Sequence, residues 1–105
     1  MSIYLVSRHQ GAVEWMKHMN HHYDVHLTHL SSEVPLCAGD TVVGSLPINL
    51  VADLAERGIG YTHLSLYVPE HLRGIELSAE QLSQLDARLE SYSVQRLPTL
   101  SPSTS

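Results

Sequence analysis

Cysteine is almost missing from this chain. Cys37 is the single thiol in 105 residues, so no internal disulfide forms, and a reducing, cytoplasmic setting is expected. Basic residues are also scarce: six Lys and Arg face eleven Asp and Glu, for a net charge of −5. General binding to duplex nucleic acid requires a basic face and is set aside. A small phosphorylated ligand held by a few local donors stays open. No apolar run approaches the roughly 20 residues of a spanning helix, and no charged-then-apolar leader is visible, so neither membrane insertion nor secretion is expected.

The length suits one domain with its own core. Residues 1–95 are read as that domain. Residues 96–105, which close on Leu97-Pro-Thr-Leu-Ser-Pro-Ser-Thr-Ser105, are read as a flexible Pro/Ser/Thr tail.

Hydrophobic periodicity alternates between two kinds along the domain. Tyr4-Leu5-Val6 is an apolar extended run that stops at Ser7-Arg8-His9. After Gly11, the residues Ala12, Val13, Trp15, Met16 and Met19 recur at helical spacing. Asp24 to Leu30 alternates at period two and reads as a less buried strand, suited to a sheet edge. Ser31 to Ala38 is a loop, Gly39-Asp40 a turn, and Thr41 to Ser45 a β-branched strand. Pro47 opens a helix with Ile48, Leu50, Val51, Leu54 and Ala55 on one side, and Gly58 closes it as a left-handed cap. Tyr61 to Val68 is another strand. Ser78 and Gln81 form a capping box, and Leu82, Leu85, Leu89 and Tyr92 read as the apolar stripe of a final helix. Strands alternating with helical crossovers predict an α/β domain, a Rossmann-like, mostly parallel sheet with helices on both faces.

In such a sheet three strand ends converge. The turn Ser7-Arg8-His9 leads into a helix whose first backbone N–H groups favour an anion. Gly44-Ser45-Leu46-Pro47 lies at the same edge, and Arg73-Gly74 with Glu76 follows a third strand. Arginine's fork suits phosphate, and histidine is the side chain matched to proton transfer near neutral pH. Ser7 can hold a phosphate or attack it; no serine triad is apparent. Trp15 is read as core in preference to a base-stacking platform.

Histidine is over-represented, with eight residues. A zinc set would group His18, His22, His26 and His29, but no cysteine or carboxylate stands near them at zinc-site spacing. Most are expected to face solvent. No metal and no cofactor are assigned.

Four blocks in order, Ser7-Arg8-His9-x-Gly11-Ala12-x-x-Trp15, Gly39-Asp40-x-Val42-Val43-Gly44-x-Leu46-Pro47, His63-Leu64-Ser65-Leu66 and Arg73-Gly74-x-Glu76-Leu77, resemble the small CRISPR-associated Csx-sixteen family. The resemblance runs from the N-terminus to about Tyr92. It implies a fold similar to the CARF domains that bind cyclic oligoadenylate messengers. It also implies a ring nuclease that linearises cyclic tetra-adenylate to switch off type III CRISPR effectors, acting as a homodimer with the ring across the two-fold axis.

On that basis the expected chemistry is in-line attack of a ribose 2′-hydroxyl of the ligand on its own adjacent phosphate, giving a 2′,3′-cyclic phosphate without metal. Arg8 and Arg73 would stabilise charge and His9 would move a proton. Ser7, Gly11, Gly44, Ser45, Leu46, Asn49 and Glu76 would line or position the ring. A metal-assisted variant would use the histidines, or Asp40 and Glu76. The competing class is a binding module without catalysis, a sponge that sequesters the messenger.

Overall fold

A computed structural model describes residues 1–31, 33–66 and 69–98. Tyr67 and Val68 of the strand read as Tyr61 to Val68, Ser32 of the preceding loop and residues 99–105 of the tail lie outside the described residues.

The elements run β1 (Ile3–Val6), α1 (Gln10–His18), β2 (Val25–Leu27), β3 (Thr41–Gly44), α2 (Ile48–Glu56), β4 (Gly60–Ser65), α3 (Ala79–Gln84) and β5 (Arg88–Tyr92), with a 3₁₀ turn at Glu70–Leu72. The five strands make one sheet in the order β2-β1-β3-β4-β5. β1 pairs in parallel with β2 and β3, and β3 with β4; only β5 runs antiparallel, against β4. The fold is therefore the mixed α/β, mostly parallel Rossmann-like sheet that the alternating periodicities predict.

Each central strand is apolar on both faces because both faces are covered. Leu5 and Val43 pack with Ala12, Val13, Trp15 and Met16 of α1 and Leu82 of α3. Their neighbours Val6 and Val42 point the other way, onto Val51 and Leu54 of α2, with Ile59 and Tyr61. Trp15, Met16, Leu5, Leu54 and Val42 are the largest fully buried side chains, each stabilising the fold by about 1.5–3 kcal/mol if an ordinary transfer value applies. Trp15 is core, as read.

Among the described residues, α1, α2 and α3 stop by one device, a residue at positive φ followed by a paired set of backbone bonds. Asn20 (φ 59), Gly58 (φ 75) and Asp86 (φ 60) take the left-handed position. The next residue then donates to the carbonyl five back: His21 to Met16 at 2.9 Å, Ile59 to Leu54 at 2.9 Å, Ala87 to Leu82 at 3.0 Å. At the start of α3 the capping box is present: Ser78 Oγ accepts the Gln81 N–H at 3.2 Å and Gln81 Oε1 accepts the Ser78 N–H at 2.9 Å.

Three sequence expectations are corrected. The final helix does not run to Tyr92; it ends at Gln84, because Asp86 turns the chain and Leu89 pairs with Leu64 in β5. Leu82 and Leu89 reach the same core cluster all the same, one from a helix and one from a strand. The strand at Asp24 to Leu30 is cut to Val25–Leu27 and does lie at the sheet edge. Pro47 precedes the first helical residue, with ψ 149 in extended territory, so α2 begins at Ile48.

Arg96, expected at the head of the tail, is fastened to α2. Its guanidinium donates to Asp53 Oδ1 at 2.9 Å, to Glu56 Oε2 at 3.2 Å and to the Asn49 carbonyl at 3.2 Å. The Asp53 hydrogen bond, with the Asp53 and Glu56 charges, raises the arginine's affinity for its proton further.

Candidate functional site

From β1 the chain crosses by α1 to β2 on one side, while from β3 it crosses by α2 to β4 on the other. The two adjacent strands β1 and β3 therefore send their exit loops in opposite directions, and a crevice opens beyond their carboxyl ends. A cavity of about 680 Å³ occupies that position. Ser7, Arg8 and His9 line it from β1, Gly44, Ser45 and Leu46 from β3, and Thr28 and His29 from the loop after β2. A second, more open hollow of about 760 Å³ adjoins it, lined by Arg73, Gly74 and Glu76. His9 lines both, so it stands between the Arg8 side and the Arg73 side. The ends of β1 and β3 thus meet in one crevice, whereas the Arg73–Glu76 segment, expected in that same crevice, lines the adjoining hollow instead.

The first turn is fixed from several directions. Ser7 N–H donates to the Leu27 carbonyl at 2.9 Å and the Ser7 carbonyl accepts His26 Nε2 at 2.9 Å. The His9 N–H donates to Ser7 Oγ at 3.1 Å. The serine hydroxyl is thereby engaged in its own turn, which makes Ser7 a former of the site in preference to a nucleophile. His9 caps α1 through its backbone: its carbonyl accepts the Ala12 and Val13 N–H groups at 3.1 and 3.4 Å, leaving an exposed imidazole at the crevice.

The anion expected at the start of α1 is supplied by the protein itself. Glu76 Oε1 accepts the Gln10 N–H at 3.1 Å, where the helix dipole favours negative charge. Gly11 is buried beneath the same segment, and a Cβ there would overlap the Leu77 carbonyl. The glycine permits that close packing and does not line either cavity. Gly44 does line the crevice, and a Cβ on it would sit 2.6 Å from the Val6 carbonyl. Asn49 lies outside the lining too; its neighbour Leu50, one helical step round α2, takes that place.

Several site residues were hidden from the sequence. Thr28 and His29 reach the crevice only because β2 stops at Leu27. Tyr61, on the next strand and 15 positions on in sequence, accepts the Leu46 N–H at 2.9 Å through its buried hydroxyl, and burial pushes its phenol pKa up. Nothing short of the β3–β4 register could have revealed that contact.

The zinc set is not assembled. His22 pairs with Asp24 at 2.9 Å and His26 with the Ser7 carbonyl. Among the described residues no three His, Cys, Asp or Glu side chains converge on a possible metal position. Six of the eight histidines are exposed, as read, and His21 and His63 are half-buried. Asp40 sits at the amino end of β3, opposite the crevice and far from Glu76 in the fold. There its buried carboxylate accepts the N–H groups of Ser2 and Cys37, both at 2.9 Å. The Cys37 bond first, then the Ser2 bond, hold its pKa below the usual 3.8. Among the described residues no helix is long and apolar enough to cross a membrane.

Residues 4–95 match a family model described as "Putative CRISPR-associated protein (Cas_VVA1548)". The chain belongs to this family. The matched stretch holds every crevice residue named above and all but the first residue of the sheet. No curated protein and no solved structure matches the chain.

Proposed function

We propose that this CRISPR-associated protein is a ring nuclease that binds and linearises a cyclic oligoadenylate, with cyclic tetra-adenylate as the first candidate. One observation carries the reading: Arg8 and His9 flank a switch-point crevice, and Arg73 lies in the hollow that shares His9 with it. That is a phosphate-handling set on an otherwise acidic chain.

In this scheme a ribose 2′-oxygen of the ring attacks the adjacent phosphorus, and the bond to the 5′-oxygen breaks. The 2′-hydroxyl proton leaves to a base and the departing 5′-oxygen gains one from an acid. The products are a 2′,3′-cyclic phosphate and a 5′-hydroxyl, with no water consumed. His9 transfers one of these protons. Arg8 and Arg73 stabilise charge on the phosphoryl oxygens, and Ser45 with the Leu46 backbone positions the ring. The chemistry calls for no metal from this chain. One crevice has the size of a site for a single small ligand. A ring of four nucleotides is larger, so two copies facing each other across a two-fold axis form the working unit.

The test is multiple turnover. Protein incubated with a large excess of cyclic tetra-adenylate yields more linear product than there are sites, and the product carries a cyclic phosphate terminus. Product limited to one ring per site or fewer, with tight binding, makes the protein a sponge instead. Light scattering that shows only monomer with and without the ring counts against the two-copy unit.

A further inference from the structure

Three groups on one face of the sheet meet at a single oxygen. Tyr61 Oη accepts the Leu46 N–H at 2.9 Å, lies 3.1 Å from the Gly44 carbonyl, and lies 2.7 Å from His63 Nδ1. Tyr61 is only 5% exposed. His63 sits two residues on along β4 and directly beside Gly44 in the β3–β4 register. The hydroxyl thus grips both ends of the Gly44–Leu46 turn, which is the β3 wall of the crevice.

A phenol has one proton to give and two lone pairs with which to accept. One lone pair is taken by the Leu46 N–H. The Gly44 carbonyl can only accept, whereas His63 Nδ1 can donate or accept according to its own proton. If Nδ1 is bare, the tyrosine proton is contested between Nδ1 and Gly44, and the shorter contact is to Nδ1. If Nδ1 carries a proton, it donates to Oη, and the hydroxyl proton is free for Gly44. Every partner is then satisfied, and the turn is held at both ends.

We infer that Tyr61 and His63 form a clamp whose grip on the Gly44–Leu46 turn tightens when His63 Nδ1 carries a proton. The pair are positioning residues: neither belongs to the crevice lining, and both act through the turn that does. The link from clamp to ligand rests on the crevice being the ring site. Burial keeps the phenol in its neutral, donating form, and histidine is the group whose charge changes between about pH 5 and 8.

Other groups around His63 are already committed. Glu90 lies opposite it on β5, held below the usual carboxylate range by the Ser65 hydroxyl first, and also by the Tyr92 hydroxyl and Arg88. The Tyr92 ring meets the imidazole edge-on at 6.1 Å. On α2, Asp53 and Glu56 are engaged by Arg96. β3 contributes Gly44, which carries no charge.

The measurement is hydrogen exchange of the Leu46 amide by NMR from about pH 5 to 8, corrected for intrinsic exchange, beside the affinity for cyclic tetra-adenylate. With the neutral imidazole carrying its proton on Nε2, so that Nδ1 is bare towards Oη until the ring is charged, protection of Leu46 in the unsubstituted protein rises as the pH falls; a flat course overturns the pH-dependent clamp. Tyr61→Phe keeps the buried ring, loses roughly tenfold of that protection at the acid end, the scale of one lost hydrogen bond, and less as the pH rises, so that its pH course is flat. His63→Gln makes the protection independent of pH. Amides of Leu5 and Val43 report that each variant is folded. Affinity for the ring follows Leu46 protection across the three proteins. Unchanged Leu46 protection in Tyr61→Phe, or an unaltered pH course in His63→Gln, overturns the clamp. If the unsubstituted protein binds no ring, the ligand reading alone is overturned, and the amide course still decides the clamp.

Discussion

Glu76 and Gln10 are 66 positions apart, yet the Glu76 carboxylate accepts the Gln10 backbone N–H at 3.1 Å. The bond ties the loop that carries Arg73 to the first turn of the helix that follows Arg8 and His9. It also fills, with the chain's own charge, the position where a helix start draws an anion.

Removing that charge has two opposite effects. Glu76→Ala destabilises the protein by about 0.3–1 kcal/mol, the usual worth of a carboxylate at a helix start, read from urea unfolding. At the same time it strengthens ring binding severalfold, because a ring phosphate no longer competes with a resident carboxylate. Weaker binding in Glu76→Ala makes Glu76 a ligand contact and ends the competition account.

His9 and Arg8 separate by the step they serve. His9→Ala lowers the single-turnover rate by about 10²–10⁴ with affinity nearly intact, the ordinary loss of a general acid or base. Arg8→Ala weakens both rate and affinity, the rate more if its contact tightens as charge builds on the phosphate. Arg73→Ala shows the same double loss. Parental rates in His9→Ala reduce the turn to a positioning device, and parental rates in Arg8→Ala as well move the site to another edge.

Gly11→Ala separates propensity from packing. In an exposed helix this change stabilises by about 1 kcal/mol. Here the new methyl group meets the Leu77 carbonyl, backbone that gives way only if the segment leading from Arg73 moves. A net loss of about 1–3 kcal/mol is expected, the range of overpacking, measured by denaturant titration. A gain in stability means that the Leu77 segment is loosely held.

Asp40 sets part of the acid limb. Its folded pKa lies below the usual 3.8 because it accepts the Cys37 and Ser2 amides. The contribution is complete above that unfolded value and is lost as the pH falls towards the folded one. Asp40→Asn is less stable at neutral pH and shows a shallower decline through the acid range. A stability–pH curve parallel to the unsubstituted one excludes this role.

The parallel core was legible because β1 and β3 are apolar runs cut off by polar turns, each followed by 3.6-residue spacing. Gly58 and the Ser78–Gln81 pair carried local signatures of helix ends and were found where expected. β5 was not legible, since Leu82, Leu85, Leu89 and Tyr92 satisfy a helical stripe as well as they satisfy a helix, a turn and a strand. The decisive residue was Asp86, whose left-handed φ a sequence does not announce in the way a glycine does. At the site, Ser7, Arg8, His9 and Ser45 were readable from local chemistry. Glu76 on Gln10, His29 in the crevice and Tyr61 on Leu46 depend on register and loop length, which no local window contains.

Trp15 gives the protein an optical probe of its own. It is the sole tryptophan, 1% exposed, with an indole N–H that has no hydrogen-bond partner among the described residues and with the His21 ring 5.4 Å from its own. Such an indole emits at short wavelength. Because Trp15 rides on α1, whose first turn borders the crevice, a shift of that helix on ligand capture will register as a change in intrinsic fluorescence, without any label.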